Sequence, residues 1–160
     1  MLKILRRVSF LHFSKLLVLG LKNPVFIVPA MCATRKTVAK SYQLYGKKHH
    51  VNGTANAFRH ALWNYTIAKA CSKWSKNKER VLRWTEEITD WHENAFPNKK
   101  LAMLMDMHNN KVGRSLYEKH PDMELEAIVT KLKEMTEKSV LIHGESDLAC
   151  HEDNLVHIIP

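Results

Sequence analysis

The segment Thr54–Trp74, TANAFRHALWNYTIAKACSKW, decides the fold. Spaced as on a helix, its apolar side chains cover both faces, with Phe58, Ala61, Leu62, Tyr65 and Ala68 on one and Trp63, Ile67, Ala70 and Cys71 on the other. A helix that is apolar nearly all round is buried in the centre of a globular protein. We therefore predict a buried central helix at about 54–74, with Thr54 as its N-cap.

Helical periodicity continues on both sides of this segment. It predicts a basic amphipathic helix at about 2–20, a helix at about 30–45 after Pro29, two helices at about 78–94 and 99–119, and a C-terminal helix at about 121–143 with a short tail. A chain of 160 residues with 45% hydrophobic and 26% charged side chains is able to bury a core. The predicted fold is all-α: a compact single-domain bundle of about five to six helices that spans residues 1–160.

The charge is divided unevenly along the chain. Residues 1–78 contain fifteen Lys and Arg and no acid, whereas residues 79–160 contain ten basic and sixteen acidic residues, so that +15 and −6 give the net +9. Such asymmetry predicts a basic surface for an anionic substrate or membrane surface, with nucleic acid less favoured because no recognition motif accompanies it. Packing of the two halves against each other is the alternative, since it would neutralise part of the excess.

The N-terminal segment has two interpretations. Lys15 and Lys22 interrupt its apolar run, which is too short for the roughly 18 to 20 residues of a membrane span. We favour a core helix, and the alternative is a helix lying on an anionic membrane. Three cysteines without a paired spacing, Cys32, Cys71 and Cys150, are typical of reduced thiols. The predicted location is cytoplasmic, with peripheral membrane attachment as the variant.

Polar residues interrupt the apolar faces at three places. The segments are Asn56–Trp63 (NAFRHALW), Asp90–Glu93 (DWHE) and Met105–Arg114 (MDMHNNKVGR). A buried guanidinium needs a partner, because an unpaired charge in a core costs several kcal/mol or more. We expect Arg59 and His60 to meet Glu93 and Asp106. The other predicted site residues are His92, Asn109 and Asn110, and Gly113 would allow close helix contact.

This inventory suits two chemistries. In one, His60, His92, Glu93 and Asp106 bind a divalent metal such as zinc, which activates water while Arg59 stabilises developing negative charge. In the other, His92 is a metal-free general acid or base that Glu93 or Asp106 orients. The chain contains neither an HExxH motif nor a glycine-rich phosphate loop, so spacing alone does not decide between them.

A purely structural role is the alternative to a site. Arg59 with Glu93 or Asp106 would then form a buried ion-pair network that fixes how three helices cross. Outside this cluster, we predict a core position for His108 and solvent exposure for His49 and His50. We place function ahead of structure for the cluster, because convergent ionisable groups in a core are costly and often mark a site.

The motifs resemble a bacterial family of unknown function, found in Bacteroidetes-type genomes both alone and at the ends of toxin-like or secreted proteins. The resemblance covers roughly residues 45–118. It rests on Asn52-Gly53, the segment Asn56–Trp63, His92-Glu93, Met105-Asp106, Asn109-Asn110 and Gly113. This chain departs from the family in having Trp91 before His-Glu and His108 where another aromatic is common. The resemblance implies one shared site and no specific reaction.

The leading functional prediction is a hydrolase-like enzyme that acts on an anionic, phosphate-containing or membrane-associated substrate. Arg59 would hold charge, His60 and His92 would be bases or metal ligands, and Glu93 and Asp106 would orient or ligate. The alternative is a non-enzymatic binding module whose basic N-terminal half docks on anionic lipid or nucleic acid. The polar cluster would then be structural.

Overall fold

The computed structural model describes residues 9–96 and 98–159. In these residues six α-helices follow one another: α1 Phe10–Lys22, α2 Pro24–Tyr45, α3 Thr54–Ser72, α4 Lys78–Ala95, α5 Lys100–Lys119 and α6 Leu125–Glu137. Two 3₁₀ helices cover Gly46–His50 and Glu145–Cys150, and two-residue strands β1 (Val140–Leu141) and β2 (Val156–His157) pair in parallel. The all-α prediction is confirmed.

Helix α3 is the buried central helix. It packs against α2, α4, α5 and α6, and twelve of its side chains are buried on all sides. Its N-cap is Gly53, not the predicted Thr54, and the cap has no side-chain hydrogen bond. Because α3 is enclosed by its neighbours, packing rather than capping holds this helix end.

Helix α2 begins six residues before its predicted start, since Pro29 lies within it. Pro24 occupies the first turn, where a missing N–H costs nothing. The buried stripe of α2 runs across Pro29, from Phe26 to Ser41. Phe26 packs beside Trp84 of α4, with 6.0 Å between ring centroids. Burial along this stripe outweighs the one hydrogen bond that Pro29 removes.

Helix α6 is shorter at both ends than the predicted 121–143. Pro121 and Asp122 lie in a turn, because Tyr65 Oη donates to the carbonyls of His120 (2.8 Å) and Met123 (3.1 Å) and holds this turn against α3. At the other end Val140 N–H donates to Leu155 of the tail at 2.9 Å. The tail therefore docks on the helices, where Leu155 and Val156 are buried.

Helix α1 departs from the favoured interpretation as a core helix. None of its side chains is fully buried, and Phe10, Leu11, Leu17 and Leu21 are all more than half exposed. Residues 2–8 of the predicted helix 2–20 lie outside the described residues, as does Pro97. In the described residues no single helix has the length and apolarity of a membrane span, although the bent pair of Phe10–Lys22 and Pro24–His50 does when taken together.

Most Lys and Arg side chains of the described residues before Glu79 form no ion pair with the acidic residues of the second half. Among the described residues before Glu79, Lys40 and Lys78 pair with acids of the second half, Glu126 at 2.8 Å and Glu118 at 3.8 Å. No other ion pair in the described part of the chain joins the two halves through a Lys or Arg. Packing of the two halves therefore leaves most Lys and Arg side chains of residues 9–78 without an acidic partner among the described residues.

Candidate functional site

Gly113 brings α3 and α5 into close contact, as predicted. A Cβ atom built on this glycine would lie 2.2 Å from the Ala61 carbonyl oxygen and 2.8 Å from the Ala61 Cα. The backbones of the two helices therefore touch at this point. Side chains that flank the contact are forced to face one another across a narrow interface.

Polar residues line this interface at a spacing of four. Asn56, His60 and Asn64 follow one another on α3, and Asp106, Asn110 and Arg114 do so on α5; we call these six residues the polar ladder. Residues four apart lie above one another on one helix face. The same spacing on both helices matches the two faces residue by residue.

Hydrogen bonds join the polar ladder along its length. Asn56 Nδ2 donates to Asp106 Oδ1 at 2.8 Å, and Asn64 Nδ2 donates to Asn110 Oδ1 at 2.6 Å. Arg114 Nη1 donates to Asn64 Oδ1 at 3.1 Å. His60 Nδ1 lies 3.1 Å from Asn110 Oδ1. With the exception of Asn56 Oδ1, the buried polar groups of the ladder are thus matched donor to acceptor, which is what their removal from water requires.

Helix α4 completes the cluster from the side. Glu93 Oε1 accepts from Asn110 Nδ2 at 3.2 Å and lies 3.5 Å from His60 Nδ1. Thr89 Oγ1 donates to Asn64 Oδ1 at 3.2 Å. The fold therefore brings His60 together with Glu93 and Asp106, the second of which lies 3.3 Å from His60 Nε2.

Arg59 decides the tautomer of His60. Arg59 Nη2 lies 2.8 Å from His60 Nε2, and a guanidinium only donates, so Nε2 accepts and Nδ1 carries the proton. Nδ1 then donates to Asn110. Burial, followed by the charge of Arg59, holds the pKa of His60 well below its usual range, so this histidine is neutral.

The two buried carboxyl groups bind protons more tightly than usual. Burial, and then the proximity of Asp106, raises the pKa of Glu93 to about 8. Burial likewise raises the pKa of Asp106 to about 7, although Arg59 and Asn56 oppose the shift. The pair therefore holds a proton near neutral pH, at atoms that contact the His60 ring.

This proton makes stability depend on pH in a defined direction. Because the folded-state pKa values of Glu93 and Asp106 are raised, the folded protein retains protons that the unfolded chain releases, and stability falls as pH rises toward about 8. The lowered pKa values of His49, His60, His92 and His157 act in the opposite direction until the unfolded imidazoles have lost their protons, at about pH 7.5. The carboxyl effect is therefore isolated by comparison with a variant that lacks the carboxyl group, because the histidines contribute equally to both proteins.

We expect the free energy of unfolding to fall by on the order of 1 kcal/mol between about pH 6.5 and about pH 8, because the histidines offset part of the carboxyl effect. Glu93→Gln should remove much of this dependence, because glutamine cannot ionise. Glu79→Gln, at an exposed position on the same helix, is the matched control. Denaturant titrations at both pH values measure the change in the free energy of unfolding. If this change were the same in Glu93→Gln as in the wild type, Glu93 would be ionised at both pH values.

His92 borders the cluster without joining its hydrogen bonds. Its ring packs edge-on against Trp63, 5.2 Å between centroids, and lies 4.9 Å from the ring of Phe96. Burial and Arg59 lower the pKa of His92 to about 4. No described residue hydrogen-bonds its ring nitrogens, so the expected orientation of His92 by Glu93 or Asp106 is not seen. His92 is a neutral imidazole, half-buried, beside Arg59.

His49 is buried, not solvent-exposed as predicted. It lies in the 3₁₀ helix before α3, edge-on to Tyr42 at 6.3 Å, and neither of its ring nitrogens has a hydrogen-bond partner among the described residues. Burial, then His50 and Arg59, lowers its pKa. The exposed neighbour is His50. Three neutral histidines thus lie near the Arg59 charge.

Asn109 lies outside the cluster, although it was predicted to belong there. Its Nδ2 donates to the Val156 carbonyl at 2.9 Å and its Oδ1 accepts the Val156 N–H at 3.0 Å. A side chain one position before Asn110 points about 100° away around the helix, toward the tail. Asn109 therefore holds β2 in place.

His108 is likewise not a core residue. It is partly exposed, and its Nε2 lies 3.0 Å from the carbonyl oxygen of Asn154. The face of α5 with Asp106, Asn110 and Gly113 packs against α3, and this orientation turns His108 toward the tail. Matched hydrogen bonds across the interface decide this orientation of α5.

The geometry gives no support to the predicted metal ligands His60, His92, Glu93 and Asp106. Both ring nitrogens of His60 are already engaged, by Arg59 and by Asn110. Within residues 9–96 and 98–159, no three His, Cys, Asp or Glu side chains have the spacing of a metal site. The metal set stays a prediction that metal analysis must test.

Four residues of the site were missed from sequence: Asn56, Asn64, Thr89 and Arg114. The signal that could have found the ladder members is the repeated spacing of four, Asn56–His60–Asn64 against Asp106–Asn110–Arg114. The unpartnered Asn56 Oδ1 shows that this end of the ladder is not saturated. Nothing in the sequence pattern separates Thr89 from an ordinary threonine in a helix.

The comparisons with known proteins identify a family for this chain and no function. No curated protein and no solved structure is significantly similar to the chain. One family matches residues 17–140, which is wider than the resemblance at 45–118 and includes α2, α3, α4, α5 and α6. The chain belongs to the family described as domain of unknown function (DUF6973).

Proposed function

We propose that this protein is a hydrolase-like enzyme that binds an anionic, phosphate-containing substrate at Arg59 and cleaves it with the help of His92. The observation that supports it most is the state of Arg59. Among the described residues the only hydrogen bond of its side chain goes to His60, and the guanidinium forms no ion pair although it is partly buried. A guanidinium in this state has donors to offer an anion.

The expected ion pairs of Arg59 with Glu93 or Asp106 are replaced by contacts of those carboxylates with His60. An ion-pair network that merely fixed helix crossing would place the acids on the guanidinium. In this fold, the polar ladder instead braces His60, and His60 positions Arg59. Glu93 and Asp106 remain near enough to attract the Arg59 charge, but among the described residues neither accepts a hydrogen bond from the guanidinium.

Substrate binding would activate His92. Burial and, after it, the charge of Arg59 lower the pKa of His92, so an anion that neutralises Arg59 removes the second of these effects and raises that pKa in part. The imidazole then takes a proton from a water whose oxygen forms a bond to phosphorus while the bond from phosphorus to the leaving oxygen breaks. The imidazolium gives this proton to the leaving oxygen, and Arg59 stabilises the negative charge that develops on the phosphoryl group. Glu93 and Asp106 hold His60 and a proton beside the site.

The test is hydrolysis of nitrophenyl phosphate mono- and diesters and nitrophenyl acyl esters by the wild type and two Arg→Gln variants. Arg59→Gln should lower kcat/KM by about a hundredfold or more, the usual effect of removing one donor to a developing anion. Arg83→Gln, an exposed position on α4, is the matched control and should keep full activity. Equal melting temperatures of the wild type and both variants would show that the loss of activity in Arg59→Gln does not come from unfolding.

Metal dependence is examined in the same proteins. Two measurements distinguish metal-dependent hydrolysis from metal-free catalysis by His92. One is elemental mass spectrometry of the wild type and His92→Ala, and the other is the activity of both proteins in the presence of zinc, manganese or a chelator. About one equivalent of metal that is lost in His92→Ala supports the metal-dependent version. Undiminished turnover in Arg59→Gln, or a lack of turnover under every condition, would overturn the proposed activity.

A second candidate is a binding module for anionic membranes. It is favoured by the exposed apolar side chains of α1, such as Phe10 and Leu21, beside a basic surface that the fold leaves largely unpaired. This candidate predicts sedimentation with anionic vesicles that is unaffected by Arg59→Gln. Vesicle binding without any esterase or phosphoesterase turnover would favour it over the enzyme.

A further inference from the structure

An apolar groove of about 730 Å³ opens between α1, α2, α3 and α4. Its walls include Phe13 and Leu17 of α1, Ile27 and Met31 of α2, Ile67 of α3 and Ile88 of α4. Ligand pockets of about 300 to 1,000 Å³ with mainly apolar walls take small organic molecules. The size and lining of the groove therefore suit a flexible hydrocarbon.

One end of the groove meets the candidate site at Trp63. This side chain lines the groove, and its ring also packs edge-on against His92 (5.2 Å) and His60 (6.2 Å). Ile88, another wall residue, lies one helical turn before His92 on α4. A ligand in the groove thus approaches His92 at this end.

The groove has a direction. From Trp63 and Ile88 it continues by one turn of each helix to Ile67 of α3 and Trp84 of α4. Arg80, one turn before Trp84, donates to Asn23 Oδ1 at 3.0 Å, which places the wall residues Leu21 and Pro24 at this end. Trp91 Nε1 donates to the His12 carbonyl at 2.8 Å and ties the beginning of α1 to the end of α4 near His92. Arg59 on α3 and His92 on α4 lie one turn beyond Trp63 and Ile88 in the other direction, just past this end of the groove. The opposite end is apolar, and one wall residue on α2, Arg35, is also charged.

We propose that the groove binds the alkyl chain of a single-chain amphiphile whose anionic head group lies at Arg59. This inference rests on the proposed function and names its substrate class. The apolar walls remove the chain from water, while the guanidinium pairs with the head group. Trp63 lies at the junction of the two parts.

The experiment titrates the full-length protein with alkyl phosphates of increasing chain length, inorganic phosphate and the neutral decyl maltoside, all below micelle formation. Binding is followed by calorimetry. Affinity should increase by about threefold to fourfold for each added methylene until the groove is filled. Decyl phosphate should bind at least about a hundredfold more tightly than inorganic phosphate, by the same reasoning.

Two matched substitutions test whether the alkyl chain binds in the groove. Leu17→Asn changes a wall residue that is 55% exposed, and Val18→Asn changes its neighbour, 50% exposed and outside the groove. Neither side chain is buried, so both variants should fold. We expect Leu17→Asn to lower the affinity for decyl phosphate by at least about fivefold and Val18→Asn to leave this affinity unchanged.

The outcomes separate the groove from the site. Binding that does not depend on chain length, or equal effects of Leu17→Asn and Val18→Asn, would contradict binding of the alkyl chain in the groove. Loss of phosphate binding in Arg59→Gln would still support the proposed function. Chain-length dependence that Arg59→Gln leaves unchanged, with decyl maltoside binding as tightly as decyl phosphate, would overturn the pairing of head group and Arg59. That second result would count against the proposed function too.

Discussion

Replacing Gly113 by alanine should lower the free energy of unfolding by about 3 kcal/mol or more, enough to unfold much of a marginally stable domain. The new methyl group would sit 2.2 Å from the Ala61 carbonyl oxygen, so the backbones of α3 and α5 must separate. Separation would lengthen every hydrogen bond of the polar ladder. Helix α3 cannot retreat, because α2, α4 and α6 enclose it.

The sign of the effect makes this a sharp test. In an open helix position, glycine to alanine stabilises by roughly 0.5 to 1 kcal/mol. Gly20→Ala is the matched control, since its Cβ would meet only the flexible end of Ile27, at 3.2 Å. Thermal and denaturant unfolding of both variants give the comparison. A Gly113→Ala protein as stable as the wild type would contradict the close backbone contact.

Replacing Asn110 by leucine should cost about 3 to 5 kcal/mol. Asn110 is fully buried and serves three partners, accepting from Asn64 and His60 and donating to Glu93. Leucine would leave all three without that hydrogen bond in a dry interface. Each unsatisfied buried group costs about 1 to 3 kcal/mol.

Asn110→Asp separates hydrogen bonding from packing. Aspartate keeps an acceptor for Asn64 and His60 but presents an oxygen to Glu93, so its destabilisation should shrink as pH falls and carboxyl groups protonate. Asn94→Leu, at an exposed position on α4, should change stability by no more than about 0.5 kcal/mol. Guanidinium titrations followed by circular dichroism measure all three. Equal stabilities of Asn110→Leu and Asn94→Leu would contradict the central role of Asn110.

Proximity in sequence proved a poor guide to the membership of the site. Asn109 and Asn110 are adjacent and both fully buried, yet one holds the tail at Val156 and the other bonds Glu93 and His60. His49 shows the same limit. A basic loop segment predicts exposure, whereas chain reversal before α3 buries the ring beside Tyr42.

By itself the sequence determined the helical class, the central position of Thr54–Ser72 and the convergence of His60, Glu93 and Asp106 on one interface. These follow from periodicity and from the cost of burying polar groups, which each segment carries locally. The tertiary structure alone decided which face of α5 meets α3 and that Arg59 bonds His60 instead of an acid. It also decided that α2 runs through Pro29. Those outcomes depend on contacts between segments far apart in the chain, where the summed burial and hydrogen bonding of whole interfaces outweigh local preference.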